Sequence, residues 1–178
     1  MIPIPEIHDT TGNWDRLVEA MEFWLRDEML QVISNHQQYL IVNIGNEPGA
    51  ESKSADEFFT VYNSIVTRMR AANIRIPLMI DADQWGQSEK NLLEVGPKLL
   101  QADPEHNLLF SLHMWWPSER HDPKATGYAT VQDRIRGVLE ASVEKNLPLI
   151  VGEFAPVAAG DVKEIPYKFI MAEAERLS

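Results

Sequence analysis

The sequence predicts an α/β fold built on a parallel sheet. Three observations carry that reading: short apolar segments, amphipathic stretches of helical period between them, and reactive side chains gathered where the apolar segments end. The apolar segments are Met1–Ile7, Tyr39–Ile44, Pro77–Asp81, Asn107–His113 and Pro148–Gly152. Each is rich in Ile, Leu or Val and lacks polar alternation through most of its length, as strands buried on both faces do.

Helices fill the intervals in order. Trp14, Leu17, Val18, Met21 and Leu25 recur at helical spacing, which places Trp14 and Trp24 in a core. Ser54-Ala55-Asp56-Glu57 has the form of a capping box and leads into Phe58, Tyr62, Ile65 and Met69 on one face. Leu92, Leu93, Leu99 and Leu100 predict a third helix after Ser88. Val131, Ile135, Val138, Leu139 and Val143 predict a fourth, stopped at Asn146, a residue type that tolerates the left-handed conformation. The tail from about Asp161 to Leu177 offers Ile165, Phe169, Ile170 and Ala174 for a fifth.

The β-α unit is thus repeated five times in one domain, residues 1–178, with strand starts roughly 30–40 residues apart. A complete (β/α)8 barrel of about 250 residues averages about 31 per unit. An open doubly wound sheet shows the same alternation, so the pattern alone leaves both architectures open. The barrel reading leaves three units unaccounted for, and a chain that opens directly on a strand at Met1 reads as truncated.

Composition narrows the function. With 27 acidic against 16 basic residues the formal net charge is −11, which argues against nucleic acid and anionic membranes as partners. A neutral ligand suits it. The absence of cysteine excludes disulfides and thiolate metal sites. Scattered histidines without zinc spacing predict no metal site, and no glycine-rich loop predicts a phosphate or nucleotide cofactor. No apolar run approaches the roughly 18–20 residues of a membrane span. No secretory leader is visible, which leaves the compartment open.

In α/β folds reactive residues sit just beyond the C-terminal ends of the strands. Those ends read His8-Asp9, Asn46-Glu47-Pro48, Asp81 to Gln87, His113 to Trp116, and Gly152-Glu153-Phe154. Two glutamates following different strands are what glycoside cleavage needs: one protonates the leaving oxygen and the other attacks the anomeric carbon. Asn46 is placed to hold a sugar hydroxyl, and Trp85 offers an aromatic platform. Asp81 and Asp83 read equally as a cap or turn, and Glu6, alternating with His8, reads as pointing inward. His36, His106 and His121 read as solvated surface.

Val42-Asn43-Ile44-Gly45-Asn46-Glu47-Pro48, together with Ile150-Val151-Gly152-Glu153-Phe154, resembles family 5 glycoside hydrolases, especially their bacterial β-mannanase branch. Three further segments match in order: Glu6 to Gly12, Asp81 to Gln87, and Phe110 to Met114. The resemblance runs from the family's third strand to its seventh helix. It implies a parallel five-stranded partial (β/α)8 barrel with outer helices, in which Glu47 is the acid/base and Glu153 the nucleophile. It also implies substrate-binding roles for His8, Asn46, Trp85, Gln87, His113 and Trp115. The family's tyrosine near the nucleophile is replaced by Trp115, whose indole N–H is a donor only.

The family's active-site arginine and sugar-stacking tryptophan belong to strands outside the matched segments. Two exposed sheet edges follow, which invite pairing with a second copy in a homodimer, and Pro3 and Pro5 are placed to blunt the first edge. The implied function is retaining hydrolysis of a β-1,4-linked polysaccharide or oligosaccharide, mannan or glucan. The alternative is a catalytically inactive truncated barrel or carbohydrate-binding remnant.

Overall fold

Parallel pairing of apolar segments sets the frame of this computed structural model, which describes residues 2–157 and 164–178. Strands β1 (Val42–Asn43), β2 (Leu78–Asp81), β3 (Leu108–His113) and β4 (Leu149–Glu153) form one sheet in sequential order, every pair parallel. Alternation splits their side chains between two faces. Val42, Ile44, Leu78, Ile80, Leu108, Phe110 and Leu112 join the hydrophobic core, while Asn43, Asp81, Ser111 and His113, of opposite parity, are buried polar residues.

The first predicted strand is an extended flank, outside the laddered sheet. Ile41, Asn43 and Asn46 donate their N–H groups to the carbonyls of Pro3, Pro5 and Ile7 at 3.3, 3.1 and 3.0 Å. The return bonds would come from the nitrogens of Pro3 and Pro5, which carry no hydrogen. The prolines therefore face the sheet, which corrects the expectation that they blunt the outer edge. Ile2, Pro3 and Ile4 are all exposed, and Pro5, Glu6 and Ile7 are half-buried. Met1 lies outside the described residues.

Helices cover the apolar face. The first predicted helix is α1 (Leu17–Trp24), and a further helix not predicted, α2 (Asp27–His36), starts on Asp27 and Glu28, acids that suit a helix N-terminus. In α3 (Ala55–Ala71), Ser54 Oγ accepts from Glu57 N at 3.1 Å, and Phe58, Tyr62, Ile65 and Met69 are buried as their spacing predicts. A single turn, α4 (Asp83–Gly86), precedes α5 (Glu89–Ala102). After β3 come the short α6 (Pro123–Thr126) and α7 (Val131–Glu144), which Thr130 caps. Asn146 beyond α7 does take the left-handed conformation, φ 50°. Helix α8 (Tyr167–Leu177) begins after Pro166, and the predicted start near Asp161 lies outside the described residues.

Trp14 and Trp24 are core residues, as expected; Trp24 Nε1 donates to the carbonyl of Ile44 at 3.0 Å and so anchors α1 to the end of β1. Strand β4 departs from the expected burial. Leu149, Ile150 and Val151 are half-buried because β4 is the last strand of the described sheet. Beside it Leu139, Val143, Val151, Phe154, Ile170 and Met171 line an apolar groove of about 580 Å³.

Candidate active site

The site lies at the C-terminal ends of the strands, and the local backbone explains how each side chain reaches it. Glu47 follows β1 in the left-handed region, φ 47°, a costly conformation for a residue with a Cβ. Two bonds hold it there: its N–H donates to Asp81 Oδ2 at 2.9 Å, and its carbonyl accepts from Gly12 N at 2.9 Å. His113 closes β3. Between β3 and β4 the register shifts, so that Leu112 pairs with Val151 but His113 with Glu153. That irregularity skips Gly152 and brings Glu153 level with His113.

Glycine is required at two neighbouring points. A Cβ on Gly152 would collide with Ser111 Oγ and stand 3.0 Å from His113 Nε2. A Cβ on Gly86, which also has φ +72°, would lie 2.7 Å from His113 Nδ1. The imidazole is thus clamped between two bare backbones.

His113 sits among three carboxylates. Its Nδ1 is 2.9 Å from Glu47 Oε1 and 3.6 Å from Glu153 Oε2, and its Nε2 is 3.4 Å from Asp81 Oδ2. One ligand-type atom from each of Glu47, His113 and Glu153 lies within 4.8 Å of the others, so the two glutamate carboxylates converge on one side of the ring, at Nδ1, opposite Asp81. Burial opposes a charge on His113, but the bond to Glu47 and the fields of Asp81 and Glu153 outweigh it and raise its pKa. Burial lifts Asp81 to about 6, against the lowering effects of His113, the Glu47 N–H, Ser111 and Asn43.

The Glu47–His113–Glu153 set is the one three-ligand grouping among the described residues that an ion could occupy. Its histidine nitrogens already face carboxylate oxygens at ion-pair distances. One hydrogen bond, between Nδ1 and Glu47, and two longer ion-pair approaches hold the ring there.

Residues 6–174 match the family model for cellulase, glycosyl hydrolase family 5. The chain belongs to glycosyl hydrolase family 5. This family 5 chain is 32% identical over 162 residues to a mannan endo-1,4-beta-mannosidase of Cellvibrio japonicus, covering 87% of the chain and 34% of that relative. It is 31% identical to a mannan endo-1,4-beta-mannosidase of Salipaludibacillus agaradhaerens, covering 92% of the chain and 50% of the relative. Among solved structures, the beta-mannanase of Streptomyces thermolilacinus superposes with a TM-score of 0.81 at 33% identity, over 99% of this chain and 56% of that one. The family 5 chain therefore spans about half the length of the solved structure, and its α/β parallel sheet matches part of a TIM-barrel mannanase fold.

The structure brings together Glu47, His113, Glu153 and Trp115, whose Nε1 donates to Glu153 Oε2 at 3.1 Å. Asn46 stands next to Glu47 in sequence, buried; its Nδ2 lies 3.4 Å from His8 Nδ1 and donates to Thr11 Oγ1 at 3.0 Å, while its Oδ1 has no partner among the described residues. His8 itself is exposed, with Nε2 2.7 Å from Glu6 Oε1. Trp85 stands on the rim at 44% exposure, with φ 58° and its indole over Gly12, where a Cβ would collide with the ring. Gln87 is half-buried at the end of α4, tied by its N–H to the carbonyls of Asp83 and Gln84.

Several supporting residues of this family 5 site escaped the sequence reading. Asp81, for which the sequence left a cap or turn and a site role equally open, receives the Glu47 N–H and faces His113, while Asp83 receives Lys53 N at 2.6 Å. Asn43 donates to both Glu6 Oε2 and Asp81 Oδ1, at 3.1 and 2.9 Å. A polar residue inside an otherwise apolar strand was the signal for Asn43 and Ser111. Trp116 is buried under Arg134, whose guanidinium carbon lies 3.7 Å from its ring centroid, so it packs a loop.

Proposed function

We propose that this chain carries the catalytic carboxylate pair of a retaining glycoside hydrolase acting on β-1,4-linked mannan or a related glucan. The observation that supports it most directly is the approach of Glu47 and Glu153 within 4.8 Å at the ends of two non-adjacent strands. Retaining enzymes hold their carboxyl groups about 5–5.5 Å apart, whereas inverting ones leave room for an intervening water.

In this reading Glu153 Oε attacks the anomeric carbon as the glycosidic C–O bond breaks, and the proton of Glu47 passes to the departing oxygen. Water then gives a proton to Glu47 and attacks the same carbon, and the ester bond to Glu153 breaks. Trp115 orients the nucleophile through its N–H···O bond. Asn46 and His8 contact the sugar hydroxyls, Trp85 supplies a stacking face, and Gln87 and His113 complete the polar lining.

The strands present correspond, in this proposal, to the third to seventh of a (β/α)8 barrel. The partners are a β-linked polysaccharide or oligosaccharide and, across the open edges, a second copy of the chain.

Hydrolysis of mannan and cellulose by the purified protein tests the reading. Glu47→Gln should lower turnover about 10²–10⁴-fold, and Glu153→Gln should prevent formation of the glycosyl ester. Activity that survives both substitutions removes the assigned roles. The replacement of the family's tyrosine by Trp115 beside Glu153 favours one second reading, a carbohydrate-binding chain without turnover. Binding of mannan oligosaccharides with no hydrolysis would establish it. Sedimentation decides the partner: a monomer that turns over substrate excludes the second copy.

A further inference from the structure

Asp81 is a fully buried carboxylate that the double displacement leaves without a task. Both of its oxygens accept from groups that can only donate: Oδ1 from Asn43 Nδ2 at 2.9 Å and Oδ2 from the Glu47 backbone N–H at 2.9 Å. Tyr62 fastens the same residue from α3, its hydroxyl donating to the Asp81 carbonyl at 3.2 Å. Both bonds favour the ionised form of Asp81. His113 Nε2 stands 3.4 Å from Oδ2, and on the far side of the ring Nδ1 meets Glu47 at 2.9 Å and Glu153 at 3.6 Å.

A neutral imidazole carries one N–H and one lone pair. With the hydrogen on Nδ1, the Nε2 lone pair faces an Asp81 oxygen. With it on Nε2, the Nδ1 lone pair faces Glu47. Only the imidazolium presents hydrogen on both sides. The charged groups that meet the ring are Glu47 from the end of β1, Asp81 from β2 and Glu153 from β4; from α4 it meets the bare backbone of Gly86.

We propose that Asp81 is a positioning residue that holds His113 as an imidazolium, so that one fixed cation serves Glu47 and Glu153 alternately during the two displacements. The proposal rests on reading those glutamates as the catalytic pair. When Glu153 becomes an ester its charge is lost, and the imidazolium then stabilises Glu47 as the carboxylate that takes a proton from water. Asp81 simultaneously grips the left-handed backbone of Glu47. Cation and acid/base are thereby located by a single carboxylate.

The test is a ¹⁵N titration of the histidine rings, with His113 assigned through His113→Gln. In the unsubstituted protein both His113 nitrogens should still carry hydrogen at pH 7.5. Asp81→Asn should lower the titration midpoint by about 1 pH unit or more. A midpoint unchanged to within about 0.3 unit overturns the proposal, as does a neutral ring at pH 7.5. If Asp81→Asn does not fold, the double variant Glu47→Gln/Glu153→Gln leaves Asp81 as the one carboxylate at the ring. A midpoint there at or below the ordinary 6.5 overturns the proposal, and one above it supports it. These readouts need no turnover, so a protein that hydrolyses nothing yet shows the shift loses its assigned reaction but keeps this arrangement. Where turnover is measurable, Asp81→Asn should move the alkaline limb of the kcat/KM profile to lower pH.

Discussion

Trp115 shows how much one donor decides. The resemblance implies a tyrosine hydroxyl there, and the indole nitrogen reaches Glu153 Oε2 at 3.1 Å in its place. A hydrogen bond to a charged acceptor contributes about 1.5–3 kcal/mol. Trp115→Phe keeps the ring and loses the hydrogen, so kcat on a mannan oligosaccharide should fall roughly 10–100-fold. Trp115→Tyr restores a donor and should lose less; equal losses in the two variants would assign the effect to packing. Gly152→Ala belongs to the same scale. Its Cβ must displace Ser111 and His113, and a cost of about 1–3 kcal/mol in a thermal or urea melt is expected.

At the scale of elements, the joint between α3, α5 and β3 is polar although it is buried. Arg70 donates from Nε and a terminal nitrogen to both oxygens of Asp103 at 2.9 Å, and it also reaches the carbonyls of Ile74, Ile76 and Asn107. Asp103 in turn accepts from the N–H groups of Glu105 and Asn107. The pair therefore closes the end of α3 against the turn that launches β3, far from the glutamates in sequence. Removing one partner leaves a buried charge uncompensated, which costs about 3–5 kcal/mol. Arg70→Met should lower the urea midpoint accordingly while leaving turnover per folded molecule unchanged. Equal loss of activity would mean that the strand ends shift with this joint.

For the molecule as a whole, the buried ionisable cluster makes stability depend on pH. Asp81 has a folded pKa near 6, above the unfolded value of 3.8, so its folded form binds the extra proton between those values. Its contribution is present below about 4 and fades as pH rises through 6. His113 is also raised in the folded state, so its contribution is present below about 6.5 and fades as pH rises through the folded value. Asp103 runs the other way. Burial pushes it up, but Arg70 and the Asn107 and Glu105 N–H groups hold it below 3.8, and its contribution is lost as pH falls through that lowered value. Urea midpoints measured from pH 4.5 to 8.5 should decline through the Asp81 and His113 windows. His113→Gln should flatten the upper part of the curve, and an unchanged slope would contradict the assigned charge.

The sequence by itself determined the β-α alternation, the parallel sheet and the residues at its ends, because burial on both faces writes long apolar runs. It also determined the capped start of α3 and the left-handed stop at Asn146, which depend on neighbours within one turn. The separate helix α2 was less legible, since Leu25 and Arg26 carry no Gly or Pro signal to mark a boundary before it. Tertiary structure alone decided the rest. The register shift that aligns Glu153 with His113, the burial of Asp81 beneath the Glu47 N–H and the inward-facing nitrogens of Pro3 and Pro5 all depend on how separate strands meet. Such pairings join residues more than 30 positions apart, and local periodicity holds no record of which atoms face one another.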